Sequence, residues 1–330
     1  MSRVIRLHAF CSVKGGVGKS TLAIVSAVSL SRQGRRAIVI DADLTGTSLA
    51  DGLKLCAPIV PLNADGNMDL IAPSTGKWLT LNQTEVLRDA RKGLSSQSGR
   101  RLLPPPFLND VLLHRNMDSD QDCQMSSVLW KSLVHPELQI IPASSIRYDV
   151  NVALGWLYQE ERVRWSVRLA WILMSMAQQM PDLTDVIFDL PPGLFGFAQA
   201  VLSLFVRLSD PAAAKPGFPI PREHGISYEV NSFLVTTPDR SALLASVEEF
   251  LRLKPQIMNL GFLINRTQEG IKKVRKEISE RFGQQVTALG IEQELRGIDD
   301  APLVLGRLFQ GGTIEEPEFI ELLGRTLRLG

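Results

Sequence analysis

An α/β fold, a doubly wound and mostly parallel sheet with a long insertion after the second strand, is what this sequence predicts. Two observations carry that expectation. Short apolar runs such as Ala37–Ile40 (A-I-V-I) recur without polar alternation, as strands covered on both faces should. Helix-length segments separate them, and strands alternating with helices give a parallel sheet flanked on both sides. A third observation locates the site. Each polar motif below follows directly on an apolar run, at a strand's carboxyl end, where open α/β sheets bind ligands.

The first strand, Val4–Phe10, leads into Val13–Thr21, V-K-G-G-V-G-K-S-T, and a helix over Thr21–Leu30. Small residues let such a loop curl until several N–H groups converge at the positive end of the helix, and that nest binds phosphate. Gly15, Gly16, Val17, Gly18, Lys19, Ser20 and Thr21 form the cradle. Lys19 would reach the β- and γ-phosphates of a nucleotide, and the Ser20 hydroxyl would ligate Mg²⁺.

The second strand, Ala37–Ile40, ends in Asp41-Ala42-Asp43, and the third, Leu138–Ile141, ends at Pro142. One long helical segment, about Leu154–Met180, precedes the strand Asp185–Leu190 and the run Asp189-Leu190-Pro191-Pro192-Gly193. The apolar V-I-F before Asp189 sets that carboxylate in a poorly solvated place, which favours pairing with a metal over a solvated turn. Leu194–Leu208 is the most apolar stretch; broken by Gly196 and Gln199 and too short to span a bilayer, it reads as a buried helix. Ser232–Val235 precedes Pro238-Asp239 and a helix from about Arg240, and Leu260–Ile264 ends at Asn265. A helix over Gly270–Arg281 places Ile271, Val274, Ile278 and Phe282 on one face, and Gln285–Leu289 is the expected last strand.

The sequence is read as one domain across residues 1–330 with insertions at about 52–137 and 209–228. The first holds Pro58, Pro61, Pro73 and Pro104-Pro105-Pro106, and is far longer than an ordinary connection, so a lid, a partner-binding element or partial disorder is expected there. The second, rich in proline and alanine, is expected to be a surface excursion.

Hydrophobic residues make up 45% of the 330, enough for a sizeable core, and a net charge of +1 supplies no global field toward nucleic acid or an anionic membrane. The three cysteines, Cys11, Cys56 and Cys123, lie far apart with no C-x-x-C pair, against a disulfide framework or a metal-thiolate site within one subunit. With no signal-peptide core, a reduced, cytoplasmic protein is expected. Lys272, Lys273, Arg275 and Lys276, diluted by Glu277 and Glu280, read as a solvated helix face. Phe319–Leu329 is only mildly amphipathic, so membrane anchoring is not expected.

The loop departs from G-x-x-x-x-G-K-[ST] in having Val13 for the first glycine, with Lys14 just before the double glycine. This K-G-G-V-G-K-S-T form resembles the deviant Walker A motif of the ParA/MinD ATPases, P-loop proteins that also include nitrogenase-reductase-like members. Some partition ATPases likewise lack the first glycine. The resemblance covers residues 1–50, about 138–205 and 230–300. It implies that Lys14 is the signature lysine, crossing a dimer interface to the partner's nucleotide. It implies that Asp43 lies in switch I and aligns or deprotonates the attacking water near the metal. Asp189 would be the Walker B carboxylate, holding Mg²⁺ through water, in a switch II stiffened by Pro191 and Pro192. Asp41 either tunes the metal's surroundings or caps its turn. For Lys272, Lys273, Arg275 and Lys276 the resemblance implies a candidate DNA-facing patch.

Guanine-selective P-loop sites place an aspartate three residues after the asparagine, and here the run is Asn265-Arg266-Thr267-Gln268. Asn265 can still pair with an adenine edge, and Pro238 and Asp239 resemble the loop on the base's other side, so ATP is the expected nucleotide. The leading reading is a Mg²⁺-dependent ATPase, slow and partner-stimulated, that homodimerises around ATP to position or recruit a cargo. A metallochaperone or metallocluster carrier is the alternative, although the dimer-bridging cysteine pair of such members is missing. A tyrosine autokinase would carry a C-terminal tyrosine cluster, and the only tyrosines are Tyr148, Tyr158 and Tyr228. A defence or biosynthetic ATPase whose insertion reads a specific partner is a further alternative.

Overall fold

The structure, a computed structural model, describes residues 2–44, 49–94, 103–113, 123–159, 162–209, 221–257, 259–266, 271–285 and 295–298. Among them, nine strands form one open sheet: β1 (Arg3–Ser12), β2 (Arg36–Asp41), β3 (Leu55–Cys56), β4 (Trp130–Ser132), β5 (Gln139–Ile141), β6 (Leu183–Pro192), β7 (Ile226–Thr236), β8 (Leu260–Asn265) and β9 (Leu295–Ile298). Their spatial order is β3-β4-β5-β2-β6-β1-β7-β8-β9. From β5 to β9 every neighbouring pair is parallel, and β3 and β4 join antiparallel at one edge.

Strand residues alternate between two cores, which is why the strands read as continuous apolar runs. Ile38 and Ile40 pack on one face with α6 (Arg162–Gln179), α7 (Phe197–Ser209), α8 (Arg240–Leu253) and α9 (Ile271–Phe282). Ala37 and Val39 pack on the other with α1 (Lys19–Arg32). Both faces are therefore covered, as the absence of polar alternation required. On α7, Val201, Leu204 and Phe205 are fully buried, so the most apolar stretch is a core helix as expected. On α9, Val274 and Ile278 are buried while Lys272, Lys273, Arg275 and Lys276 are exposed. Lys276 pairs with Glu280 at 3.7 Å, so acids on the helix partly neutralise its basic face.

Two expectations need adjustment. The helix expected over Leu154–Met180 is two helices, α5 (Arg147–Gln159) and α6. Trp156 of α5 stacks on Trp165 of α6 with ring centroids 5.1 Å apart. The last strand among the described residues is Leu295–Ile298; Gln285, expected to start a strand, is helical, and residues 286–289 lie outside the described residues. The segments 210–220 and 319–329 also lie outside them.

The described parts of the 52–137 insertion are built onto the domain. They contribute β3, β4, α3 (Leu81–Leu94) and α4 (Leu108–Leu112). Leu53, Leu55, Phe107 and Trp130 join the core beneath α1. Arg91 of α3, 4% exposed, makes hydrogen bonds of 2.7 and 2.9 Å to the Asp110 carboxylate, and an ion pair with Asp149 of α5 at 3.0 Å. It also donates to the carbonyls of Leu103 and Pro105, both at 2.8 Å. A buried cation with this many acceptors fixes one packing of α3 against the domain, since removing a partner would strand a charge.

A phosphate cradle at the centre of the sheet

Because β1 lies between β6 and β7, the loop after β1 opens at the middle of the sheet's carboxyl edge. The neighbouring strands deliver the other motifs there. Asp41 of β2 and Asp189 of β6 are register partners, and the ladder continues as the Ala42 N–H donates to the Asp189 carbonyl at 2.9 Å. On the opposite side of β6, Ser12 is paired with Pro192 after a register shift, and the Gly193 N–H donates to the Ser12 carbonyl at 2.9 Å. Gly193 has φ +88°, a left-handed turn that suits glycine and lets the chain leave the sheet against the loop.

The loop itself is shaped by Gly18, the N-cap of α1, at φ 96°. A Cβ there would lie 2.3 Å from the Asn265 amide nitrogen, which donates to the Val17 carbonyl at 2.9 Å. The asparagine oxygen accepts the Arg266 N–H at 3.0 Å. Asn265 is thus buried and braces the loop from the end of β8, a role its side chain fills alongside any contact with a base. Asp239, expected near a base, is exposed and caps α8 by accepting the Ala242 N–H at 3.0 Å. Pro238 lies half-buried beside it.

The charged groups converge. Lys19, 7% exposed, donates to the Ser12 hydroxyl at 2.9 Å, and that hydroxyl donates to the Lys14 carbonyl at 2.6 Å. Desolvation lowers the Lys19 pKa, opposed by the nearby carboxylates of Asp189 and Asp43. Asp189 is 3% exposed, and burial pushes its carboxyl up to about 6 despite a hydrogen bond from Ser20 and the charge of Lys19. Its Oδ1 is buried without a hydrogen-bond partner. Asp41 is pushed up to about 8 by burial and by Asp189, and it accepts the N–H groups of Asp43 at 3.2 Å and Leu49 at 2.8 Å. Of its two expected roles, bracing the turn is the one its hydrogen bonds describe. Asp43 lies half-buried beside it.

These residues suit Mg²⁺. An orphaned carboxylate oxygen next to a hydroxyl is an oxygen-only donor set for a hard cation, and a cation there would hold Asp189 ionised. The signature-lysine candidate, Lys14, is exposed, and its ammonium donates to the Ser241 hydroxyl at 2.6 Å, which donates to Asp239 at 2.7 Å. Ser12 and Ser241 were not among the residues picked out by sequence. Only Ser12 left a local signal, as the polar end of an apolar strand.

Each of the three cysteines is a buried thiol outside any disulfide, and burial raises Cys11 to about 12. A metallocluster shared on a surface finds no exposed thiol here. Among the described residues, no helix is long and apolar enough to cross a membrane.

Comparison with known proteins agrees with this architecture. Residues 8–296 match the model of the CobQ/CobB/MinD/ParA nucleotide-binding domain family. The septum site-determining protein MinD of Pyrococcus horikoshii, solved with Mg-ADP, shares the fold with a TM-score of 0.53 and 16% identity, over 98% of this chain and 97% of that one. The cell-division ATPase MinD of Pyrococcus furiosus matches with a TM-score of 0.51 and 17% identity, over the whole of both chains. Apo McdA from Cyanthece matches with a TM-score of 0.52 and 16% identity, over 99% and 100% of the chains. No curated protein matches by sequence.

Proposed function

Since the chain belongs to the CobQ/CobB/MinD/ParA nucleotide-binding domain family, we propose that it is a Mg²⁺-dependent ATPase that works as an ATP-controlled dimerisation switch. Its output would be the recruitment or positioning of a cargo, with hydrolysis slow until a protein partner binds. The observation that carries this reading is the convergence of Lys19, Ser20, Asp43 and Asp189 at the carboxyl ends of three adjacent strands.

Phosphoryl transfer demands positioning and charge stabilisation more than covalent help. The loop N–H groups and Lys19 would hold the β- and γ-phosphates, with Ser20 and Asp189 holding Mg²⁺. Bound Mg²⁺ would neutralise phosphate charge as it develops. Asp43, half-buried and near enough to Lys19 to interact with its charge, would align a water in line with the γ-phosphate. Asn265, with Pro238 and Asp239, would border an adenine. The Gly193–Ser12 hydrogen bond gives a direct path from the exit of β6 to the loop, so loss of the γ-phosphate would be felt in both. Lys14 stands outside the cradle of its own chain, on Ser241, and would reach a partner's polyphosphate after leaving that contact.

Light scattering with ADP and with a slowly hydrolysed ATP analogue tests this reading. Wild type should be monomeric with ADP and dimeric with the analogue, since a second cation on the polyphosphate is favoured by its full negative charge. Lys14→Ala should bind nucleotide and stay monomeric. A Lys14→Ala protein as dimeric as wild type, or a wild-type mass indifferent to nucleotide, would sink the switch. Exposed basic residues on α9 make nonspecific DNA a candidate surface for such a dimer, with Arg240–Glu277 and Lys276–Glu280 contacts, both 3.7 Å, limiting its charge. The 52–137 insertion is the candidate element for partner choice.

A further inference from the structure

We infer that Ser12 is a positioning residue of the nucleotide site, whose hydroxyl sets both the Lys19 ammonium and the backbone of the loop's first turn. The inference rests on the reading of Val13–Thr21 as the phosphate cradle.

Ser12 is fully buried at the end of β1, where the β1–β6 register shifts and the strand gives way to the loop. Its hydroxyl has one proton, and that proton is committed to the Lys14 carbonyl at 2.6 Å. Toward Lys19, whose nitrogen lies 2.9 Å away, the oxygen is therefore only an acceptor. An ammonium has three donors, so one is held by the protein and two remain for phosphate oxygens. A flexible four-carbon side chain is in this way pre-set before nucleotide arrives, which spares ordering entropy on binding.

The other half of the arrangement acts on the backbone. Pinning the Lys14 carbonyl fixes the planar Lys14–Gly15 peptide, and with it the Gly15 N–H antiparallel to that carbonyl. Gly15 is the first glycine of the nest, and without a side chain of its own it contributes no packing to hold that plane. The Ser12 backbone is itself held by the Gly193 N–H at 2.9 Å, so the hydroxyl stands on a fixed base. One buried oxygen thus organises a cation and a donor that would address the same polyphosphate.

A pair of isosteric variants separates the hydroxyl from its packing. Mg-ATP affinity should be measured by calorimetry for Ser12→Ala, Ser12→Thr and Ser12→Val, with the urea midpoint of each. A lost hydrogen bond to a charged group predicts a roughly ten- to hundredfold weakening in Ser12→Ala and Ser12→Val. Ser12→Thr should stay within about threefold of wild type, even though its extra methyl crowds the site as much as valine does. Affinity would then follow the hydroxyl and not the urea midpoints. Equal affinities for the threonine and valine variants, or wild-type affinity in Ser12→Ala, would overturn the inference. Lys19→Ala serves as the control for the underlying reading: if it binds Mg-ATP as wild type does, the cradle is misidentified and the failure lies there.

Discussion

Gly18→Ala is the substitution whose cost can be worked most fully from the geometry. Two separate penalties arise. The residue sits at φ 96°, where an added Cβ meets its own backbone; for an L-residue that costs roughly 1–2 kcal/mol. The Cβ would also lie 2.3 Å from the Asn265 amide nitrogen, so that side chain must leave its 2.9 Å hydrogen bond to the Val17 carbonyl. An acceptor stranded in the interior costs roughly 1–3 kcal/mol more. The sum is about 2–5 kcal/mol in urea unfolding, with nucleotide affinity falling because the loop must deform. Asn265→Ala provides the decisive comparison. Beyond Gly18's own chain neighbours and helix backbone, and among the described residues, Asn265 supplies the only atoms within 4 Å of that Cβ, so in its absence Gly18→Ala should cost only the backbone term, about 1–2 kcal/mol. An identical cost in both backgrounds would refute the account and leave backbone strain as the whole effect.

Two further outcomes follow from the carboxylates. Asp43→Ala should retain ATP and lose most of its hydrolysis, accumulating as an ATP-bound dimer, because the loop is intact while the group proposed to align water is gone; turnover at the parental rate would overturn the proposed role of Asp43 in switch I. For Asp189, a pKa raised from 3.8 to about 6 means the native state keeps a proton that the unfolded chain has released. Native stability is therefore lost as pH rises from about 4 to about 6, and the cost persists above that. Asp189→Asn, compared with wild type in nucleotide-free urea unfolding, should gain on the order of 2–3 kcal/mol across that window, with a smaller further gain toward pH 8 because Asp41 loses a neighbouring charge. A difference independent of pH would mean that burial does not hold the carboxyl neutral.

The sequence by itself determined the fold class, the phosphate loop and the strand ends that carry Asp43, Asp189 and Asn265. Those features are local. An apolar run covered on both faces needs no partner to be recognised, and the loop's glycines and lysine are dictated by the phosphate they would hold. Lys14, Asp43 and Asp189 also stood out because the family pattern marks them, although their roles rest on the experiments above.

What holds the site together was not legible, because it joins residues far apart in the chain through hydrogen bonds that leave no periodicity. Asn265 meets Val17 across 248 positions, and Lys14 meets Ser241 across 227. Nothing about Arg91 in a polar helix announced that it would be buried between Asp110 and Asp149, or that the long insertion would add β3 and β4 to the sheet. Leu295–Ile298 was also beyond local reading: it is a short run with no distinguishing pattern, and its pairing with β8 is what makes it a strand. Sequence determines what each segment can form and which chemistry its ends can offer. Tertiary structure alone decides which distant groups share one buried volume, because an unpaired donor or charge there is costly enough to choose among packings that local preferences leave equal.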